Sequence, residues 1–127
     1  MKKGLTILLV DDEVYAIHLM EALLRNRNGI TTIFTATNRK DALELVVAQQ
    51  PDIVFQDIKM MDTDGLELVD EYRKLHYEGE IVFVTAYEQY AIAAIRKAAF
   101  DYLLKPVDMD ELDAVLLRLR AKMSKKA

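Results

Sequence analysis

The sequence has 127 residues, 52% of them hydrophobic and 30% charged, with only 4 Gly and 2 Pro. That suits one compact domain, residues 1–127, with a core of its own, and excludes disordered and collagen-like chains. The absence of Cys excludes disulfides and thiolate metal sites, and 17 basic against 21 acidic residues, a net charge of −4, speaks against a dedicated nucleic-acid binder.

The two histidines, His18 and His76, are far apart, so a metal here is expected on oxygen ligands, as Mg²⁺ or Ca²⁺. The first apolar run, Leu5–Val10, stops at Asp11-Asp12-Glu13. It is too short for a signal-peptide core or a membrane span, and the chain reads as cytoplasmic.

Leu5–Val10 lacks polar alternation, as expected of a strand covered on both faces. Val14–Asn26 follows with helical spacing and ends at Asn28-Gly29. Thr31–Ala36 is rich in β-branched residues and predicts a second strand. Lys40–Gln49 predicts a helix, with Asn38 as cap, Asp41 at capping-box spacing and Pro51 beyond its end. Ile53–Phe55 is the third strand and Leu66–Leu75 the third helix. Ile81–Val84 is the fourth strand, Tyr90–Ala99 an Ala- and Ile-rich fourth helix, and Tyr102–Leu104 the fifth strand. Asp108 and Glu111 have capping-box spacing for a last helix carrying Leu112, Val115, Leu116 and Leu119. Five β-α units in succession predict a parallel sheet with right-handed crossovers and helices on both faces.

Ligands of such open α/β sheets bind beyond the carboxyl ends of the strands. Those ends carry Asp11 and Asp12, then Asp57, then Thr85-Ala86, then Lys105-Pro106; the second, near Thr37, offers nothing distinctive. Gathered carboxylates repel by roughly 4 kcal/mol per pair at 4 Å, so one is protonated or a cation neutralises them. Mg²⁺ suits the task, and Lys105 adds a second positive charge. Such a site can receive a phosphoryl group, with Thr85 as hydroxyl donor and Asp57, on the central strand, as nucleophile.

These pieces, Ile7–Glu13, Asp57-Ile58-Lys59-Met60 with Asp64-Gly65, Val84-Thr85-Ala86 and Tyr102–Pro106, resemble the receiver domain of two-component response regulators over essentially the whole chain. The resemblance implies a flavodoxin-like, doubly wound, three-layer fold with strand order 2-1-3-4-5. It implies Asp57 as the phospho-acceptor, served by a sensor histidine kinase or phosphotransfer protein. It also implies Asp12, Asp57 and the Lys59 carbonyl as Mg²⁺ ligands, and Asp11 as a ligand through water. Thr85 and Lys105 are implied as phosphoryl contacts, Thr85 and Tyr102 as the conformational switch. The domain would catalyse only its own phosphorylation and dephosphorylation. Met61, Thr63 and Gln56 depart from the family pattern around the loop after Asp57. Lys59 and Tyr87 resemble positions that tune phosphate lifetime.

The stretches Thr85–Ala91 and Asp101–Val107 are similar to receivers that precede LytTR-type DNA-binding domains, so an output domain or partner outside this chain is expected. No direct nucleic-acid or membrane partner is expected. The fourth helix, apolar on more than one face, reads either as packed on the sheet or as part of a homodimer surface with the fifth strand and helix. His18 and His76 read as bland surface or edge residues, the six Met as core filler, and the basic tail of Arg118, Arg120, Lys122, Lys125 and Lys126 as a solvated face.

The residues disfavour three rivals. A haloacid-dehalogenase-type hydrolase needs an acid where Lys59 stands. A flavodoxin-like cofactor binder needs a glycine- or hydroxyl-rich loop where Asp11-Asp12-Glu13 stands. A phosphorylation-independent, receiver-like interaction module has no need of the intact acidic set.

Overall fold

The computed structural model describes residues 4–126. Five strands alternate with five helices: β1 (Leu5–Val10), α1 (Val14–Arg25), β2 (Ile30–Ala36), α2 (Arg39–Gln49), β3 (Ile53–Gln56), α3 (Gly65–Lys74), β4 (Glu80–Thr85), α4 (Ala91–Arg96), β5 (Asp101–Leu104) and α5 (Met109–Lys126). The strands pair in parallel in the order β2-β1-β3-β4-β5, the expected doubly wound topology.

The period of two along each strand divides the core. Leu5, Ile7 and Leu9 of β1 face α1 and α5, meeting Ile17, Leu24 and Leu112. Leu8 and Val10 face the opposite layer of α2, α3 and α4, meeting Val46, Leu68 and Ala94. Burying both faces is what the unbroken apolar runs required. Among the described residues no helix is long and apolar enough to cross a membrane.

Local chemistry sets the helix ends. The Asn38 side chain accepts the Asp41 N–H at 2.9 Å and donates to the Asp41 carboxylate at 3.0 Å, capping α2. Asp108 accepts the Glu111 N–H at 3.0 Å before α5. Gly29 holds φ +85° at the turn into β2, a conformation that favours glycine. After α3, His76 takes φ +67°, its N–H bonds Arg73 O and the Tyr77 N–H bonds Tyr72 O. This is a Schellman turn, closed by an edge-to-face contact of Tyr72 and Tyr77 with ring centroids 6.2 Å apart. The His76 side chain is exposed, as expected of a bland surface residue, and its part in the turn is played by its backbone.

Three expectations need correction. The fourth helix spans Ala91–Arg96, not Tyr90–Ala99. Ala98 turns left-handed at φ +59°, and the N–H groups of Ala98 and Ala99 return to Ile95 O and Ala94 O. The chain must turn there because the Phe100 N–H joins Ile81 O at 2.7 Å to begin β5. Secondly, the basic tail is more than a solvated face. Arg118 pairs with Asp101, Lys122 lies 2.7 Å from Glu80, and Arg120 donates to the Asn28 carbonyl. Thirdly, the methionines are not uniformly core filler: Met20 is buried, but Met61 is 96% exposed in the loop after β3. Met1 lies outside the described residues.

Candidate functional site

Strand register brings the acids together. Val10 of β1 stands beside Gln56 of β3, so the next residues, Asp11 and Asp57, leave the sheet side by side. The Asp57 N–H still bonds Val10 O at 2.9 Å, and the Asp11 N–H bonds Ala36 O at 3.1 Å. Both acids therefore emerge from sheet-like backbone. Carboxylate oxygens of Asp11, Asp12 and Asp57 lie within 4.8 Å of one another. Asp11 and Asp57 are buried and Asp12 half-buried.

Each carboxylate has a fixed partner on one side. Asp11 Oδ1 accepts the Glu13 N–H at 2.9 Å. Asp12 Oδ2 accepts the Met61 N–H at 2.6 Å, tying it to the loop after β3. Asp57 Oδ1 accepts the Ile58 N–H at 2.8 Å. Lys105 closes the group, its Nζ 2.6 Å from Asp11 Oδ2 and 3.4 Å from Asp57 Oδ2. Its own N–H bonds Thr85 O at 2.8 Å, and the peptide to Pro106 is cis.

Burial pushes the Asp57 carboxyl up to about 6; the Asp11 charge adds to this, and Lys105 and the Ile58 N–H oppose it. Burial pushes the Lys105 ammonium down, but Asp11 and Asp57 hold it above its ordinary value. Three carboxylates and one ammonium leave the fully ionised site doubly negative. An all-oxygen donor set of that charge fits a hard divalent cation.

Thr85 is fully buried at the end of β4, and its Oγ1 accepts the Tyr87 N–H at 3.4 Å. Tyr102 is half-buried, packs on Phe83 with ring centroids 6.4 Å apart, and donates its hydroxyl to the Tyr87 carbonyl. The two residues assigned to the switch are thus linked through one residue, Tyr87. Lys59 is exposed, and its Nζ lies over the Tyr90 ring, 5.1 Å from the centroid. That side chain turns toward α4.

Two residues named from the sequence, Gly65 and Gln56, have contacts that the sequence did not show. A Cβ on Gly65 would sit 1.9 Å from the Asp57 carbonyl oxygen, so only glycine lets α3 start against the end of β3. Gln56 is fully buried and bonded to the Tyr72 hydroxyl at 2.6 Å. Its presence in a doubly covered strand was itself a signal, because a buried amide requires a partner.

The model of the response regulator receiver domain family matches residues 7–117. An uncharacterized response regulatory protein of Vibrio cholerae is 42% identical over 115 residues, 91% of this chain and 48% of its own length. The transcriptional regulatory protein BtsR of Escherichia coli K12 is 39% identical over 119 residues, 94% of this chain and 49% of its own. The sensory transduction protein LytT of Bacillus cereus is 38% identical over 116 residues, 91% of this chain and 47% of its own. The chain therefore spans about half the length of these relatives. The response regulatory domain of protein mrkE from Klebsiella pneumoniae superposes with TM-score 0.85 at 25% identity, covering 94% of this chain and 98% of that one. A CheY-like receiver domain protein from Methanospirillum hungatei shares the fold, with TM-score 0.83 at 22% identity over 96% of this chain and 98% of that one. With the acids, the hydroxyl and the lysine at the strand ends and the family match running from β1 into α5, the chain belongs to the response regulator receiver domains of two-component systems.

Proposed function

We propose that Asp57 is the phospho-acceptor and that residues 1–127 form one receiver unit, acting in the cytoplasm. One observation carries this reading: Asp57 is buried with Oδ1 held by the Ile58 N–H, while Oδ2 faces Lys105 among the other two acids. Oδ2, which has only the long 3.4 Å contact to Lys105, is the nucleophile. It forms the new O–P bond as the P–N bond of a phosphohistidine on a sensor kinase or phosphotransfer protein breaks, and the electron pair leaves with the imidazole nitrogen.

Mg²⁺, held by Asp12, Asp57 and the Lys59 carbonyl and through water by Asp11, would supply charge neutralisation for the phosphoryl oxygens. Lys105 then exchanges its contact with Asp57 for the incoming phosphoryl group, and Thr85 Oγ1 donates to the same group. Because Tyr87 bonds both Thr85 and Tyr102, a shift of Thr85 is felt at Tyr102. The switch is a population shift, and moving it from 1:99 to 99:1 takes about 5.5 kcal/mol. Charge-assisted bonds from Lys105 and Thr85 contribute part of that. On this proposal the domain catalyses only its own phosphorylation and dephosphorylation.

Similarity to BtsR and LytT supports a LytTR-type DNA-binding domain as the output. Ile92 and Ile95 of α4 and Leu104 of β5 are exposed, which supports homodimerisation through α4, β5 and α5.

Incubation with Mg²⁺ and acetyl phosphate, followed by intact-mass measurement, tests the proposal. A single phosphoryl adduct, absent in Asp57→Asn, is the expected result. No adduct, or one that persists in Asp57→Asn, overturns it.

A further inference from the structure

Behind the acceptor lies a buried polar pair. Gln56, the last residue of β3, and Tyr72 of α3 are both fully buried. Gln56 Oε1 accepts the Tyr72 hydroxyl at 2.6 Å. Gln56 Nε2 donates to the Asp57 backbone carbonyl at 2.9 Å and lies 3.5 Å from Met60 Sδ. The amide cannot be reversed, because the Asp57 carbonyl only accepts.

That carbonyl belongs to the peptide whose other end is the Ile58 N–H, the donor to Asp57 Oδ1. A peptide unit is planar, so fixing its C=O fixes its N–H. Gly65 approaches the same carbonyl so closely that a Cβ would come within 1.9 Å of it. The peptide is thus held by a hydrogen bond from the side of α3 and boxed by the start of that helix.

We propose that Gln56, itself held by Tyr72, is a positioning residue for Asp57. It orients the Asp57–Ile58 peptide so that Oδ1 stays on the Ile58 N–H and Oδ2 stays turned to Lys105. The assignment rests on Asp57 as the acceptor. The Gln56–Tyr72 bond by itself gives little reason for the pair, since two apolar side chains of similar shape can replace two mutually bonded polar ones with little loss. What an apolar pair lacks is a donor for the Asp57 carbonyl.

The test compares Gln56→Leu, Tyr72→Phe and the double variant. Gln56→Leu strands both the Tyr72 hydroxyl and the Asp57 carbonyl and lowers the urea midpoint; adding Tyr72→Phe restores only the part due to the hydroxyl. In the double variant the saturating rate of phosphorylation by acetyl phosphate, at saturating Mg²⁺, is expected to stay about fivefold or more below the parent, with the donor KM unchanged. Hydrogen exchange of the Ile58 amide in chelator-treated protein is expected to be faster by a similar factor. Tyr72→Phe alone, the mildest change, gives an intermediate exchange rate and serves should the Leu variants not fold. A stable double variant with parental rate, or with parental Ile58 exchange, overturns the proposal. Absence of any adduct on the parent overturns instead the acceptor reading, while the exchange arm still reports on the peptide.

Discussion

Lys105 sits closer to Asp11 than to Asp57: its ammonium is 2.6 Å from Asp11 Oδ2 and 3.4 Å from Asp57 Oδ2. Without a metal or a phosphoryl group, the lysine is therefore part of what neutralises the acidic cluster. It competes with any divalent cation for the same carboxylates. Lys105→Met removes that positive charge while keeping a long apolar stem, so Mg²⁺ is expected to bind roughly three- to tenfold more tightly. Isothermal titration calorimetry checks this, and unchanged or weaker binding contradicts it. The same variant is expected to take up phosphoryl yet lose the conformational response, because the group that must move to the phosphoryl oxygens is gone.

The raised Asp57 carboxyl has a consequence for stability. Its folded pKa of about 6 exceeds the ordinary value of 3.8. Between those values the folded state keeps a proton that the unfolded state has released, so stability falls as pH rises through the window. Above it the full penalty of the buried charge is present. Asp57→Asn removes that penalty. In chelator-treated protein the variant is expected to exceed the parent by about 1–2 kcal/mol at pH 7.5, after allowance for solvent screening at the open side of the site, and by nothing near pH 4. Urea unfolding at the two pH values decides it; a gap that does not narrow at low pH contradicts the assignment of cause.

The alternation of strands and helices was legible because each strand run is continuous and bounded by turn residues, and the site because strand-end chemistry concentrates at one edge of an open sheet, whereas the strand order came from the family resemblance. Asp11, Asp57, Thr85 and Lys105 could be singled out on that basis alone. Gln56 could only be flagged as odd, since helical periodicity places Tyr72 on an apolar face without showing which strand residue it meets. The end of α4 was hidden for a different reason. An Ala-rich segment favours continuing the helix through Ala99, but β5 must begin at Asp101 in register with Val82. Tertiary pairing overrides propensity there.

Ala98 bears the strain of that override. At φ +59° it occupies the left-handed C′ position of a Schellman turn, where a Cβ is unfavourable. Its side chain is exposed, so removing it forfeits little packing. Ala98→Gly is expected to stabilise the domain by about 0.5–1 kcal/mol, against the usual loss when glycine replaces alanine in a helix. Thermal unfolding reads the sign, and a lower midpoint contradicts it.

The outward face of α4 carries the last prediction. Ala94 is the buried residue of this helix, while Ile92 is 65% and Ile95 73% exposed. The apolar character of the helix is therefore not accounted for by packing on the sheet. Leu104 of the neighbouring β5 adds to the same exposed set. Tyr87, which links Thr85 to Tyr102, lies in the connection leading into α4, so the proposed phosphorylation at the strand ends and the proposed association at this face would share an element. Sedimentation velocity with Mg²⁺ and acetyl phosphate is expected to show a concentration-dependent dimer that unphosphorylated protein forms more weakly. Ile95→Lys places an unpaired charge in that contact and is expected to weaken dimerisation by tenfold or more, about 1.4 kcal/mol, while leaving the phosphorylation rate unchanged. If the phosphorylated parent stays monomeric at high concentration, or if Ile95→Lys dimerises as the parent does, the face serves another partner.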